Sequence, residues 1–486
     1  MRQRLIARGS PVVLFAALWL FVSCATNPVT GKKEFNLLSE SQEIQLGKES
    51  DPGIVAQYGV YDDPKLAKFI DDMGQKMAKI SHRPHLKFTF RIVDSPIINA
   101  FALPGGYIYF TRGILAYMNS EAEVAGVLGH EIGHVTARHG AKAYTRAQLA
   151  QVGFGVGMVF SEKFRRYSGF AQLGVGLLFM RFSRDQERQS DQLGVQYSTK
   201  IGYDATNMSH FFGTLTSLRQ QAGSGGGGAL DSWFSTHPDP EAREAKTLRL
   251  AREAQKKSPS SVFKTEREPY LKLIDGIVFG EDPRQGFVEK GYFYHPTLDF
   301  QFPVPSEWKL VNTPQQVQMI NKEQNAGIQF TLAKEASARR AADAFIANAK
   351  AEVKASDIRK IHGFKTEIRE STIAGEQGDL HVISYFIEKG QNVFVFHGFA
   401  SPDNYGKNLS AFKYTMNNFD RLRNQKARKV KPKRIKVVRV TRTTTLGNFL
   451  KRYPDDKVSA EELAIINGMK LTDSVHTGEM IKVLSK

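Results

Sequence analysis

The chain has 486 residues, 41% hydrophobic and 24% charged, which is too long for one ordinary core and excludes both a disordered chain and a multispan membrane protein. Lys and Arg outnumber Asp and Glu by 67 to 49, and the resulting +18 favours an anionic partner (nucleic acid, phospholipid or cell-wall polymer) without choosing among them. A single cysteine excludes an intrachain disulfide framework, a Cys-based zinc finger and an iron-sulfur cluster.

Arg2, Arg4 and Arg8 precede an apolar run from Val12 to Val22. Its length is that of a signal-peptide core and falls short of a membrane span. Export is therefore expected, and it removes nucleic acid as a partner. Cys24, behind the small Ser23, resembles a bacterial lipobox cysteine, although Phe21 stands where Leu is usual. Lipidation of Cys24 would also remove a free thiol from an oxidising compartment. By the same resemblance Ala25, in place of Asp, points to the outer membrane, so a periplasmic protein with a lipid anchor is expected.

A polar stretch follows to Ser41, and then Leu66, Phe69, Ile70, Met73 and Met77 recur at the spacing of an amphipathic helix. Residues from Leu86 to Val93 alternate as a strand does, and Asn99 to Phe110 predicts a hairpin around Pro104, Gly105 and Gly106. Ser120 with Glu123 has the pattern of a capping box, opening a helix through Val124, Val127, Leu128, Ile132 and Val135. The apolar, glycine-rich stretch 149–182 is broken by charges between Glu162 and Arg166, so buried or cleft-lining helices are expected there. A further helix is expected from Asp185 to Thr199, and Gly223 to Gly228 reads as a flexible loop.

From about Tyr292 to Leu422 the pattern changes to short strands (Phe300 to Val304, Gly327 to Leu332, Gly378 to Ile387, Val393 to Phe399). Helices are expected at Ser337 to Val353 and Tyr405 to Phe419, which makes an α+β domain. Arg421 to Arg442 holds eleven basic residues and no acid and reads as a solvated basic linker. The last segment has a small β-α-α-β pattern closing on Met480 to Val483.

His130, Glu131 and His134 spell H-E-x-x-H. On a helix, positions i and i+4 share one face about 6 Å apart, so both imidazoles can reach one zinc ion while the carboxylate stands beside its open position. With 12 His and 49 acidic residues, the pattern arises by chance with probability of at most roughly 0.03. A third ligand ten residues after the first, as in metzincins, would fall on Gly140; His139 is one place short and, on a continued helix, faces away from His134. Glu187 with Asp191 four residues on is the alternative: Glu187 would bind zinc and Asp191 would orient a ligand imidazole.

These residues resemble the gluzincin metalloprotease family of prenyl-protein (CAAX) endopeptidases, HtpX and BepA. So do the run from Asn99 to Gly106 upstream and Ser235, Thr236, His237, Pro238 and Arg243 downstream. The resemblance covers about residues 40–255. It implies one zinc per chain on His130, His134 and Glu187, with Glu131 as general base towards a zinc-bound water and Asp191 as the second-layer partner. It also implies that Asn99, Ala100, Phe101 and Ala102 form a strand beside the cleft, where extended polypeptide substrates pair backbone to backbone. Ser190, where alanine is common, is a departure. His237 stabilises the oxyanion or caps the zinc; Tyr107 or Tyr109 could also serve the oxyanion, and Arg243 holds that region.

Thr445, Leu446, Ile466, Asn467, Gly468 and Gly478 to Ile481 resemble a LysM module, which implies peptidoglycan as a partner; the usual Gly-Asp is replaced by Thr443 and Thr444. The expected organisation is a multidomain α+β chain. It comprises a signal peptide (1–24), a mainly helical zincin-type protease domain with a small β-sheet (25–270), an α+β accessory domain (285–422), a basic linker (423–442) and the LysM-like module (443–486). The expected function is an exported zinc metalloendopeptidase acting on unfolded or misassembled envelope proteins. The alternative is an envelope scaffold or chaperone-like binder anchored to the cell wall, which would have no need of Glu131.

Overall fold

The computed structural model describes residues 24–153, 181–222, 231–238, 240–375 and 378–485. The export segment, most of the apolar stretch 149–182 and the loop from Gly223 to Gly228 lie outside the described residues. Among the described residues no helix is long and apolar enough to cross a membrane.

A hairpin of β1 (Cys24–Thr26) and β2 (Lys33–Phe35) leads into α1 (Glu40–Tyr58) and α2 (Pro64–Lys79). Ser39 and Asp63 cap these helices, and Pro64 takes a first-turn position where no amide partner is lost. Leu66, Ile70, Met73 and Met77 turn the expected stripe of α2 into the core. Strands β3 (Thr89–Val93), β4 (Ala100–Leu103) and β5 (Tyr107–Thr111) form a sheet of order β3-β5-β4, with β3 parallel to β5 and β4 antiparallel to it. The expected hairpin is present; Gly105 and Gly106 take φ of 83° and 96° at its turn, and β4 is left at the sheet's edge.

Beyond α3 (Arg112–Tyr117) comes α4 (Glu121–Thr136), buried on almost every side. Its start departs from the expected capping box. The Ser120 hydroxyl accepts the Glu123 amide, but the Glu123 carboxylate takes the N–H of Asn119 at 2.7 Å, one residue before the cap. Helices α5 (His139–Gly153), α6 (Arg184–Lys200), α7 (Thr206–Ala222), α8 (Asp231–Thr236), α9 (Pro240–Lys256) and α10 (Arg267–Leu273) complete this part. Helices α4 and α6 lie backbone to backbone: a Cβ on Gly129 or on Gly194 would stand 3.0 Å from a carbonyl oxygen of the other helix.

The accessory region is an antiparallel sheet of seven strands in the order β12-β13-β14-β15-β11-β10-β9. They are β9 (Lys309–Asn312), β10 (Gln316–Ile320), β11 (Ala326–Leu332), β12 (Glu352–Ile361), β13 (Phe364–Ile373), β14 (Leu380–Lys389) and β15 (Asn392–Ala400). Alternation sorts the two faces. Phe394 and Phe396 of β15 pack with α12 (Pro402–Asn417) and with a second sheet of β6 (Phe287–Glu289), β7 (Tyr292–His295), β8 (Phe300–Pro303) and β16 (Asp420–Arg421). Val393 and Val395 pack under α11 (Ala338–Ala349). The helix expected to reach Val353 stops at Ala349, where Lys350 takes a left-handed cap at φ 49°, and β12 begins three residues later.

On the α11 face, His397 accepts or donates a 2.8 Å hydrogen bond with Ser384 and lies under the Phe345 ring, and burial pushes its imidazole down to about 3. Below pH 6.5 the unfolded chain therefore binds a proton that the folded chain refuses. Stability present above that pH is lost on acidification at about 1.4 kcal/mol per unit. Denaturant titrations at pH 7.5 and 5 should differ by about 2 kcal/mol from this group, and His397→Gln should remove most of the difference. Equal slopes in the two proteins would refute a buried neutral imidazole.

The basic stretch is not a solvated linker throughout. Its part β17 (Ile435–Arg439) pairs antiparallel with β20 (Met480–Leu484), enclosing the short ladder of β18 (Thr444–Thr445) and β19 (Ser474–Val475) with helices α13 (Leu446–Leu450) and α14 (Ala460–Ile466). Of its basic side chains, Arg423, Arg428, Lys433 and Arg439 are paired with Asp420, Asp299, Asp455 and Glu268.

Candidate metal centre

Helix α4 presents His130, Glu131 and His134, α6 presents Glu187 and Asp191, and the turn after α8 presents His237; all six are buried. The glycine contact between α4 and α6 is what lets the short Glu187 and Asp191 side chains reach across.

One ligand atom from each of His130, His134, Glu187 and His237 lies within 4.8 Å of every other. His134 Nε2 is 2.9 Å from His130 Nε2 and 3.3 Å from Glu187 Oε1, and His237 Nδ1 is 3.4 Å from His130 Nε2 and 3.2 Å from Glu187 Oε1. Zinc bonds of 2.0–2.1 Å in a tetrahedron imply ligand separations of about 3.3 Å. The donor set and its spacing therefore fit zinc. A second sign is that, among the described residues, both Glu131 oxygens and His237 Nε2 are buried without a hydrogen bond, with His237 Nε2 facing Glu131 Oε1 at 3.6 Å.

The outer ring fixes the imidazoles. His130 Nδ1 is 3.1 Å from Asp191 Oδ1, which leaves Nε2 free as a ligand atom. His134 Nδ1 is 3.0 Å from His139 Nδ1, and His139 Nε2 is 2.9 Å from Gln189 Oε1, so a proton on each of His134 Nδ1 and His139 Nε2 satisfies the chain. This corrects the expectation for His139. Helix α4 ends at Thr136 and Arg138 takes φ 59°, so His139 opens a new helix and swings back to His134. Arg243 is buried, donates to Asp191 at 2.9 and 2.6 Å, reaches Glu187 at 2.8 Å, and lies over the Phe212 ring.

Burial disfavours ionisation at Glu187 and Asp191, but His237 and Arg243 hold the Glu187 carboxyl well below its usual range, and Arg243 with His130 holds Asp191 down. Burial keeps His134 well below the ordinary imidazole value. Burial opposes a charge on His237, yet Glu187 and Glu131 raise it, while burial raises Glu131 itself. Anionic Glu187 and neutral His134 are the protonation states that a metal needs.

Of the residues expected to bind substrate, Asn99, Ala100 and Phe101 are buried and Ala102 is partly exposed. Ala102 joins His134, Val135 and Gly140 around a cavity of ≈ 10 Å³, room for about one water, so β4 runs past the cluster. Tyr107 and Tyr109 do not serve the site: both pack on the α1 face, and the Tyr109 hydroxyl donates to Asp51 at 2.7 Å. Phe182, whose ring centroid is 4.0 Å from that of His134, and Trp233, 4.7 Å from His237, went unnoticed in the sequence, since an aromatic outside a motif carries no mark of its neighbours.

Residues 64–250, which hold every one of these site residues, match the family model of Peptidase family M48. The beta-barrel assembly-enhancing protease of Escherichia coli K12 is 28% identical over 232 residues, 46% of this chain and 46% of that protein. The mitochondrial metalloendopeptidase OMA1 of Arabidopsis thaliana is 31% identical over 184 residues, 38% of this chain and 36% of that one. The OMA1 of Schizosaccharomyces pombe is 28% identical over 255 residues, covering 51% and 73%. The chain spans about half the length of the first curated relatives it matches.

Proposed function

We propose that this chain, whose residues 64–250 match the model of Peptidase family M48, is an exported zinc metalloendopeptidase that hydrolyses unfolded or misassembled envelope proteins. The observation that carries the reading is the buried His130–His134–Glu187 donor set with Glu131 beside it. Zinc held there would supply a Lewis acid that acidifies water and polarises the scissile carbonyl.

Glu131 takes the proton of the attacking water and passes it to the leaving amine. Asp191 holds His130, and His139 holds His134, in the tautomers that leave their Nε2 atoms free. An extended substrate pairs with the β4 edge along Asn99, Ala100, Phe101 and Ala102, which suits chains that have lost their fold. Of the two roles open to His237, its position favours the cap. Nδ1 stands among the donor atoms and Nε2 faces Glu131, so the ring occupies the place that water needs, and the region must shift before turnover.

We read residues 1–24 as an export segment ending in a lipidated Cys24, which would hold the enzyme in the periplasm on an outer-membrane anchor. The C-terminal module, with its two helices between paired strands, is read as a LysM-like contact to peptidoglycan. The protease domain is read as zincin-type.

The mature chain should carry one zinc by elemental analysis, and chelation should stop casein cleavage until zinc is returned. His237→Ala should keep the zinc and raise the rate several-fold. Material that stays metal-free after supplementation would overturn the enzyme, and an unchanged His237→Ala rate would overturn the cap alone.

A further inference from the structure

The C-terminal module shares one hydrophobic core with the catalytic part: Leu463, Ile466, Ile481 and Val483 belong to the same cluster as Leu115, Val124 and Tyr270. Its strand β17 also continues onto the chain after α10, where Gly276 N–H donates to Ile435 O at 2.8 Å and Ile435 N–H to Ile277 O at 2.9 Å.

Within this apolar contact stands one long polar side chain. Lys482 of β20 is fully buried, and its Nζ donates to Ala116 O and Met118 O, each at 2.9 Å. These carbonyls belong to the last turn of α3 and to its C-cap, Met118, where a helix leaves acceptors without partners. Burial pushes the Lys482 amine well below its usual range, and Arg267 adds to this while Glu123 opposes it; two N–H donors remain in either protonation state. The Asn467 side chain fixes the Lys482 backbone from both sides, at 2.8 and 2.9 Å. Immediately after these carbonyls Asn119 gives its N–H to Glu123, Arg267 donates to Asn119 Oδ1 at 3.2 Å, and Ser120 caps α4.

We infer that Lys482 is a positioning residue for the helix that carries His130, Glu131 and His134, and that the C-terminal module is part of the protease scaffold, not a domain carried on a tether. The inference rests on the metalloprotease reading. A helix transmits an axial shift along its length, so a slip at Ser120 arrives undiminished at Glu131, about 16 Å away at 1.5 Å per residue. Misplacement of a reacting group by about 1 Å can cost about 100-fold in rate.

The test uses the full chain with fluorogenic casein, zinc analysis and amide hydrogen exchange. Lys482→Met should lower kcat about tenfold with KM and zinc content unchanged, and should speed exchange at residues 117–124. Tyr117→Phe, which loses only its 3.0 Å bond to Glu462 in the same interface, should lower stability and leave kcat alone. Should Lys482→Met fail to fold, Asn467→Ala keeps the amine but frees its backbone and should show the same kcat loss in smaller measure. Wild-type kcat and exchange in the folded Lys variant, or in Asn467→Ala where that variant does not fold, would overturn the inference. A zinc-loaded wild type that cleaves nothing would overturn the protease reading instead.

Discussion

Glu131→Gln is expected to stop peptide hydrolysis while the metal stays bound. The amide keeps the shape of the carboxylate and removes its basicity, and general-base catalysis is worth between about 100- and 10,000-fold. None of the donor atoms around the candidate metal position comes from Glu131, so zinc content should match the wild type. Among the described residues neither Glu131 oxygen has a hydrogen bond to lose, and burial already disfavours its charge, so the melting temperature should hold or rise slightly. Retained casein cleavage at full zinc occupancy would remove Glu131 from the chemistry.

The separation between Glu131 and the donor atoms was legible because helical spacing is a local property. His130 and His134 share a face of α4, and Glu187 and Asp191 share one of α6, wherever the helices sit. What brings the two faces together is written in Gly129, Gly133 and Gly194, which read as ordinary helix-weakening residues until a partner backbone is known to touch them. The place of His139 is not legible in the sequence, because the left-handed Arg138 breaks the helix and nothing in Ala137-Arg138-His139 announces a break. Strand β12 is hidden for a different reason: nine of its ten residues are exposed, so it lacks the alternation by which strands are recognised. In the basic stretch the abundance of charge hid the strand pairing of Ile435–Arg439. Charge density describes a surface, and one face of a two-stranded ribbon is surface.

The larger stability effect is expected at Glu43, a residue with no part in the chemistry. Helix α1 lies across the β4–β5 turn, close enough that a Cβ on Gly47 would collide with Pro104 O. Its Glu43 is 1% exposed and is held by Arg83 at 2.9 Å and by Arg138. Arg83 also donates to Val135 O at 3.0 Å and Arg138 to Leu38 O at 2.7 Å, so one carboxylate ties α1 to the end of the active-site helix. Glu43→Gln leaves buried Arg138 without its carboxylate partner and leaves buried Arg83 with only the exposed Glu40, at 2.8 Å. Removing one member of a buried pair costs about 3–5 kcal/mol. For a domain of this size that corresponds to a fall of roughly 10 °C in Tm. The exposed Lys68–Asp72 pair on α2 supplies the contrast: Asp72→Asn should change stability by no more than about 1 kcal/mol. Because the penalty belongs to stranded cations, Glu43→Gln combined with Arg138→Met should lose less than the sum of the two single changes. Strict additivity in that cycle, or a Glu43→Gln protein melting with the wild type, would show that α1 is held by its packing and not by this carboxylate.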